Sequence, residues 1–102
     1  MALSNELHES LLDTFNMLRK AYPAGISEVD YSPLLALLYE FFSDRNLASL
    51  ISHITNKDPD LVLNDIYASA SIKKPNDTAI KSVKIHLENY GFSSICTSQP
   101  DL

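Results

Sequence analysis

Glycine is nearly absent from this chain: two residues, Gly25 and Gly91, among 102. That scarcity argues against a turn-rich β-sandwich or barrel. It also leaves no glycine-rich loop to cradle a phosphate. Cysteine occurs once, as Cys96, so no intramolecular disulfide forms and a reducing compartment is expected. Met1 to Ser10 contains neither a basic n-region nor an apolar h-region, so it does not read as a secretory signal, and a cytoplasmic protein is expected. No apolar run reaches the roughly 20 residues that a membrane-spanning helix needs.

Motifs that carry chemistry are missing too. There is no G-x-S-x-G elbow. His8, His53 and His86 fall on three different predicted helices, with neither the i, i+4 spacing nor the Cys–His clustering of a metal site. The paired carboxylates Glu28/Asp30 and Asp58/Asp60 each open a predicted helix, where capping and the helix dipole account for them. No enzymatic activity, metal or cofactor is expected.

Positive charge is scarce and unevenly placed. The net charge is −5. Residues 1–72 hold ten acids against four bases, and residues 73–102 hold three acids against four bases. An acidic body repels a phosphate backbone, so nucleic acid is not an expected partner, whereas a basic protein surface is attracted. Lys73, Lys74, Lys81 and Lys84 form the one basic concentration. Without interleaved aromatics it reads as a solvated face.

What is abundant is apolar helix. Hydrophobic residues make up 45% of the chain, enough for one domain of this length to bury a core. Ser32 to Phe42 carries a single charge, Glu40. A helix apolar on all sides must be wrapped by others, so this stretch is expected to be the buried central helix. Pro33 would take its first position, with Asp30 or Ser32 as cap. Before it, a helix is expected over Asn5–Ala21, capped by Ser4, with a stripe of Leu7, Leu11, Phe15, Leu18 and Tyr22 widened by Leu12. Ile26 to Tyr31 is then a linker. A third helix starts after Ser43 and buries Leu47, Leu50, Ile51 and Ile54. A fourth opens at Asp58-Pro59, with Ile72 as its last apolar residue. A fifth follows Asn76 or Asp77, with Ile80, Val83, Leu87 and Tyr90 on one side and Gly91 as its left-handed stop. The expectation is an all-α protein: a compact bundle of about five helices, one domain over residues 1–92, and a loose tail over 93–102. A short strand near Ser93–Thr97 is the weaker alternative.

The run Tyr22-Pro23-Ala24-Gly25, the acidic linker after it and Pro33-Leu34-Leu35-Ala36-Leu37-Leu38 resemble the signature of domain of unknown function family 3349, a bacterial family best known from mycobacteria. Asn64-Asp65-Ile66, Pro75 and Tyr90-Gly91-Phe92 fit the same pattern loosely, so the resemblance spans about residues 11–92. It implies a small helical bundle and assigns no activity.

A small, acidic chain without catalytic motifs suits a protein-binding role. The expected role is that of an immunity protein that covers the basic active site of a cognate toxin nuclease, with charge speeding association. The alternatives are a housekeeping adaptor and a binder of small ligands between helices. The candidate contacts are the acids at helix starts, Glu28, Asp30, Asp44, Asp58 and Asp60, with Tyr31 and Tyr67. Tyrosine gives a large contact area with few rotors.

Overall fold

The computed structural model describes residues 11–97. They form α1 (Leu12–Ala21), α2 (Glu28–Leu38), α3 (Asp44–Thr55), α4 (Pro59–Ala70) and α5 (Asp77–Glu88), followed by a wide π-type turn at Ser93–Thr97. Four of the helices begin the same way. Ser27, Ser43, Asp58 and Asn76 hold extended backbone, and the side chain of each accepts a hydrogen bond from Asp30 N, Asn46 N, Asp60 N and Ala79 N respectively. Each bond satisfies a backbone donor that the first helical turn leaves free. The expected start of the first helix, Ser4 and Asn5, lies outside the described residues.

The start of α2 corrects the sequence reading. The helix begins at Glu28 rather than near Ser32, so most of the supposed linker is helical and Pro33 lies inside the helix. The signal for this was Ser27-Glu28-Val29-Asp30, a capping-box spacing ahead of an apolar run. Pro33 removes the N–H that would meet the Val29 carbonyl. Val29 is 82% exposed, while the proline ring is buried. In return, the longer helix brings Ser32 to the α4 residue Ser69, with their hydroxyls 3.1 Å apart.

Around the bundle, α1 neighbours α3 and α5, α3 neighbours α4, α4 neighbours α2, and α2 neighbours α5. Although consecutive in the chain, α1 and α2 are therefore not close partners. The apolar stretch of α2 is buried through Leu34, Leu35, Leu37 and Leu38, as an all-apolar helix requires. These side chains share one core with Leu18, Leu47, Leu50, Ile51, Val62, Ile66, Val83, Leu87 and Phe92.

Several edges of the expected stripes face solvent. Leu12 does not widen the α1 stripe but is exposed, Leu61 lies on the outer side of α4, and Ile72 stands 89% exposed beyond the end of that helix. Thr14, Met17 and Ala21 complete the buried face of α1 instead. Gly91 takes its left-handed conformation, φ 94°, three residues past Glu88, a region that costs a side chain but not glycine. It turns the chain so that Phe92 buries fully and meets Phe41 edge to face at 5.6 Å. Ser93–Thr97, at the start of the segment expected to be a loose tail, forms the π-type turn, in which the Ser93 hydroxyl donates to Glu88 and Ile95 packs on the core.

Candidate functional site

Three tyrosine–aspartate bonds tie the helices together. The Tyr22 hydroxyl, just past α1, donates to Asp30 of α2 at 3.1 Å. The Tyr31 hydroxyl of α2 donates to Asp65 of α4 at 2.7 Å. The Tyr67 hydroxyl of α4 donates to Asp44 of α3 at 2.6 Å. The Tyr31 bond is reinforced by Lys57, whose ammonium lies 3.1 Å from the Asp65 carboxylate and 4.3 Å from the Tyr31 ring centre. Burial, joined by Asp30 for Tyr22 and by Asp65 for Tyr31, holds both phenols well above their ordinary value. The third pair is exposed. The Tyr67 hydroxyl and the Arg45 N–H, both donating to Asp44, keep that carboxyl below the usual carboxylate range.

That exposed pair marks a groove. Between α3 and α4 lies a cleft of about 570 Å³, lined by Asp44, Arg45, Ser49, Ser52 and His53 from α3 and by Asp60, Leu63 and Tyr67 from α4. Helical spacing builds it: Arg45, Ser49 and Ser52 recur along the outer face of α3, and Asp60, Leu63 and Tyr67 along α4. Of the residues singled out from sequence, Asp44, Asp60 and Tyr67 meet here. Asp58 caps α4 immediately before Pro59, which is also on the wall. Glu28 is exposed in the first turn of α2, away from the walls of this groove. Asp30 and Tyr31 are half-buried and hold the helix-tying bonds.

Arg45, Ser49, Ser52, His53 and Leu63 were missed from sequence. The regular spacing of Arg45, Ser49 and Ser52 on the polar face of α3 was visible, but nothing local showed that α4, with Leu63, would lie across from it. His53 bonds the Ser49 carbonyl at 2.8 Å, and His86 Nε2 donates to the Ala21 carbonyl at 2.9 Å, joining α5 to the end of α1. Among the described residues no group of three or more His, Cys, Asp or Glu side chains is placed to hold a metal ion. None of their helices is long and apolar enough to cross a membrane.

The sequence profile of a family described as protein of unknown function (DUF3349) matches residues 9–95. The chain belongs to that family. No curated protein and no solved structure matches it. The DUF3349 match runs from just before α1 into the turn after α5 and so covers every helix described. It includes the α3–α4 groove and all three tyrosine–aspartate bonds.

Proposed function

We propose that this DUF3349 chain is a protein-binding module whose α3–α4 groove receives a basic protein surface, and that it acts in the cytoplasm as an immunity protein covering the active-site cleft of a cognate toxin nuclease. The observation that carries the reading is the Asp44–Tyr67 pair on the groove rim. The tyrosine is 46% exposed and its hydroxyl is fixed on an ionised carboxylate. A pre-ordered aromatic beside a pre-ordered anion loses little entropy when a cationic partner arrives. Asp60 on the opposite wall and Asp58 beside it extend the acidic edge, against the single guanidinium of Arg45. The walls have room for a side chain from the partner, and Leu63 and Ala48 provide apolar contact.

The test is co-expression of the tagged chain with the product of the neighbouring reading frame, followed by association kinetics. A basic partner should bind stoichiometrically and lose its toxicity. Its on-rate should fall as salt rises, and the double substitution Asp58→Lys, Asp60→Lys should weaken capture at least about tenfold without unfolding the chain. Capture that ignores both salt and the two substitutions removes the groove from the interface. Absence of any toxic partner, with normal growth when the gene alone is deleted, supports an adaptor instead.

A further inference from the structure

The second groove has the opposite chemistry. It lies between α2, the end of α4 and α5, and encloses about 450 Å³. Its apolar lining comes from Ala36 and Leu37 of α2, Ala70 of α4 and Ile80 of α5, with Tyr39 and Phe41 at one end. Lys74, Lys81 and Lys84 stand on its rim, accompanied by the carboxylates of Glu40 and Asp77.

Three of the eight Lys and Arg residues of an acidic chain thus gather at one place. The ion pair found among the described residues is Lys57–Asp65, and none of the three rim lysines forms one. Asp77 is already committed in kind, since it lies in the first turn of α5, where it complements the helix dipole. The backbone that carries the lysines is held in place, while their side chains stay free. The Lys73 N–H bonds the Ala68 carbonyl at 2.8 Å, fixing the connection that carries Lys74, while Lys81 and Lys84 stand one turn apart on α5.

We propose that this groove docks an acidic, amphipathic helical segment of a partner protein. Apolar residues of such a segment, one turn apart, enter the space over Leu37 and Ile80, and its carboxylates, also one turn apart, meet Lys74, Lys81 and Lys84. This is helix-in-groove recognition with complementary charge around an apolar strip. A free phosphate or other small anion is the poorer fit. It gains nothing from the apolar lining, and Asp77 occupies the start of α5 where a helix would otherwise attract it. The proposal does not rest on the α3–α4 reading, because it concerns a different groove and a partner of opposite charge.

The experiment is selection of a displayed random 16-residue peptide library against the full chain, with binding of the enriched, fluorescein-labelled peptides measured by anisotropy. The expected peptides combine Glu or Asp with leucine-like residues at helical spacing. They should bind at least about tenfold more weakly to the Lys81→Glu, Lys84→Glu variant and to Ala70→Phe, which fills the groove without changing its charge. Asp58→Lys, Asp60→Lys, across the molecule, should leave their affinity unchanged, and circular dichroism should show every variant folded. Enrichment without acidic bias, or binding unchanged in the lysine and Ala70 variants, overturns the proposal. So does inorganic phosphate that shifts the amide resonances of α5 while no peptide is enriched. Light scattering that shows the chain filling the groove with a second copy also overturns it.

Discussion

The two grooves are of similar size, and both are seams between helices, yet they present opposite charge in different states of order. On the α3–α4 side, Asp44 is anchored from two directions, by the Tyr67 hydroxyl and the Arg45 N–H. On the α2–α4–α5 side, the three lysines are long cations without a carboxylate partner among the described residues. An anchored anion discriminates by position. Long free cations tolerate a range of carboxylate placements and contribute through field and encounter rate. The net charge of −5 is thus an average over a molecule with two faces, and a family member described only as acidic hides its basic one.

The largest expected effect strikes both grooves. Leu38→Ala, at a fully buried position of α2, should cost about 2–5 kcal/mol, the range for leucine truncation in a packed core. Leu63, half-buried and on the wall of the acidic groove alone, should cost less on truncation and leave the basic groove intact. Urea unfolding with amide spectra of both faces measures each. If Leu63→Ala disturbs α5 as much as α4, the two sites are not independent.

Next come the charge substitutions. Lys81→Glu, Lys84→Glu should leave the unfolding free energy within about 0.5 kcal/mol, since exposed charges contribute little to stability, whereas Asp58→Lys, Asp60→Lys also removes the cap of α4 and should cost about 0.5–2 kcal/mol. Each should nonetheless suppress only its own class of partner. Isothermal titration of both variants against a basic and an acidic peptide reads this directly, and loss of both affinities in one variant would merge the sites.

The tyrosines sharpen the comparison further. Tyr31→Phe removes the bond to Asp65 beneath Lys57 and should cost about 1 kcal/mol in urea unfolding, typical of a partly buried hydrogen bond. Tyr67→Phe, at the exposed pair, should move the urea midpoint much less than Tyr31→Phe does and let the Asp44 carboxyl rise towards its ordinary 3.8, followed by side-chain NMR. The Asp44 contribution is present above that value and is lost as pH falls through the lower folded-state value. An equal stability loss in both variants would show that exposure does not separate the two bonds.

The smallest effect is alkaline. Tyr22 and Tyr31 keep their protons in the folded state above the ordinary tyrosine value of 10.0. The stability they contribute is intact below pH 10.0 and is lost as pH rises beyond it, because the unfolded chain releases protons that the folded chain retains. The Tyr22→Phe, Tyr31→Phe variant should therefore show a flatter decline of unfolding midpoint above that pH than the parent, while Tyr67→Phe shows a smaller change.

Much of the fold was legible. Ser43, Asp58 and Asn76 were readable as caps because a cap is a local device: an oxygen two or three residues ahead of a free N–H. The stripe of Leu47, Leu50 and Ile51 was readable because a 3.6-residue period is a property of one helix. The start of α2 is not legible in the same way, because two local signals compete: Pro33 is the stronger punctuator, and the capping-box spacing of Ser27 and Asp30 is the one the helix follows. The candidate site was legible only in part. Asp44, Asp60 and Tyr67 stand together on one groove, while Asp30 and Tyr31, equally plausible by residue type, hold the helices to one another.

The linear sequence by itself determined the helical segments in outline, where the caps of α3, α4 and α5 lie, that the apolar stretch of α2 must be buried, and that positive charge collects after residue 72. Those follow from interactions over a turn or two and from composition. Tertiary structure alone decided that α3 faces α4 and that α2 rests on α4 and α5. It also decided that Tyr22, Tyr31 and Tyr67 each find an aspartate on another element. Pairings across 8, 23 and 34 positions depend on how buried faces fit when the helices come together. No local pattern carries that information, and the two grooves are its direct result.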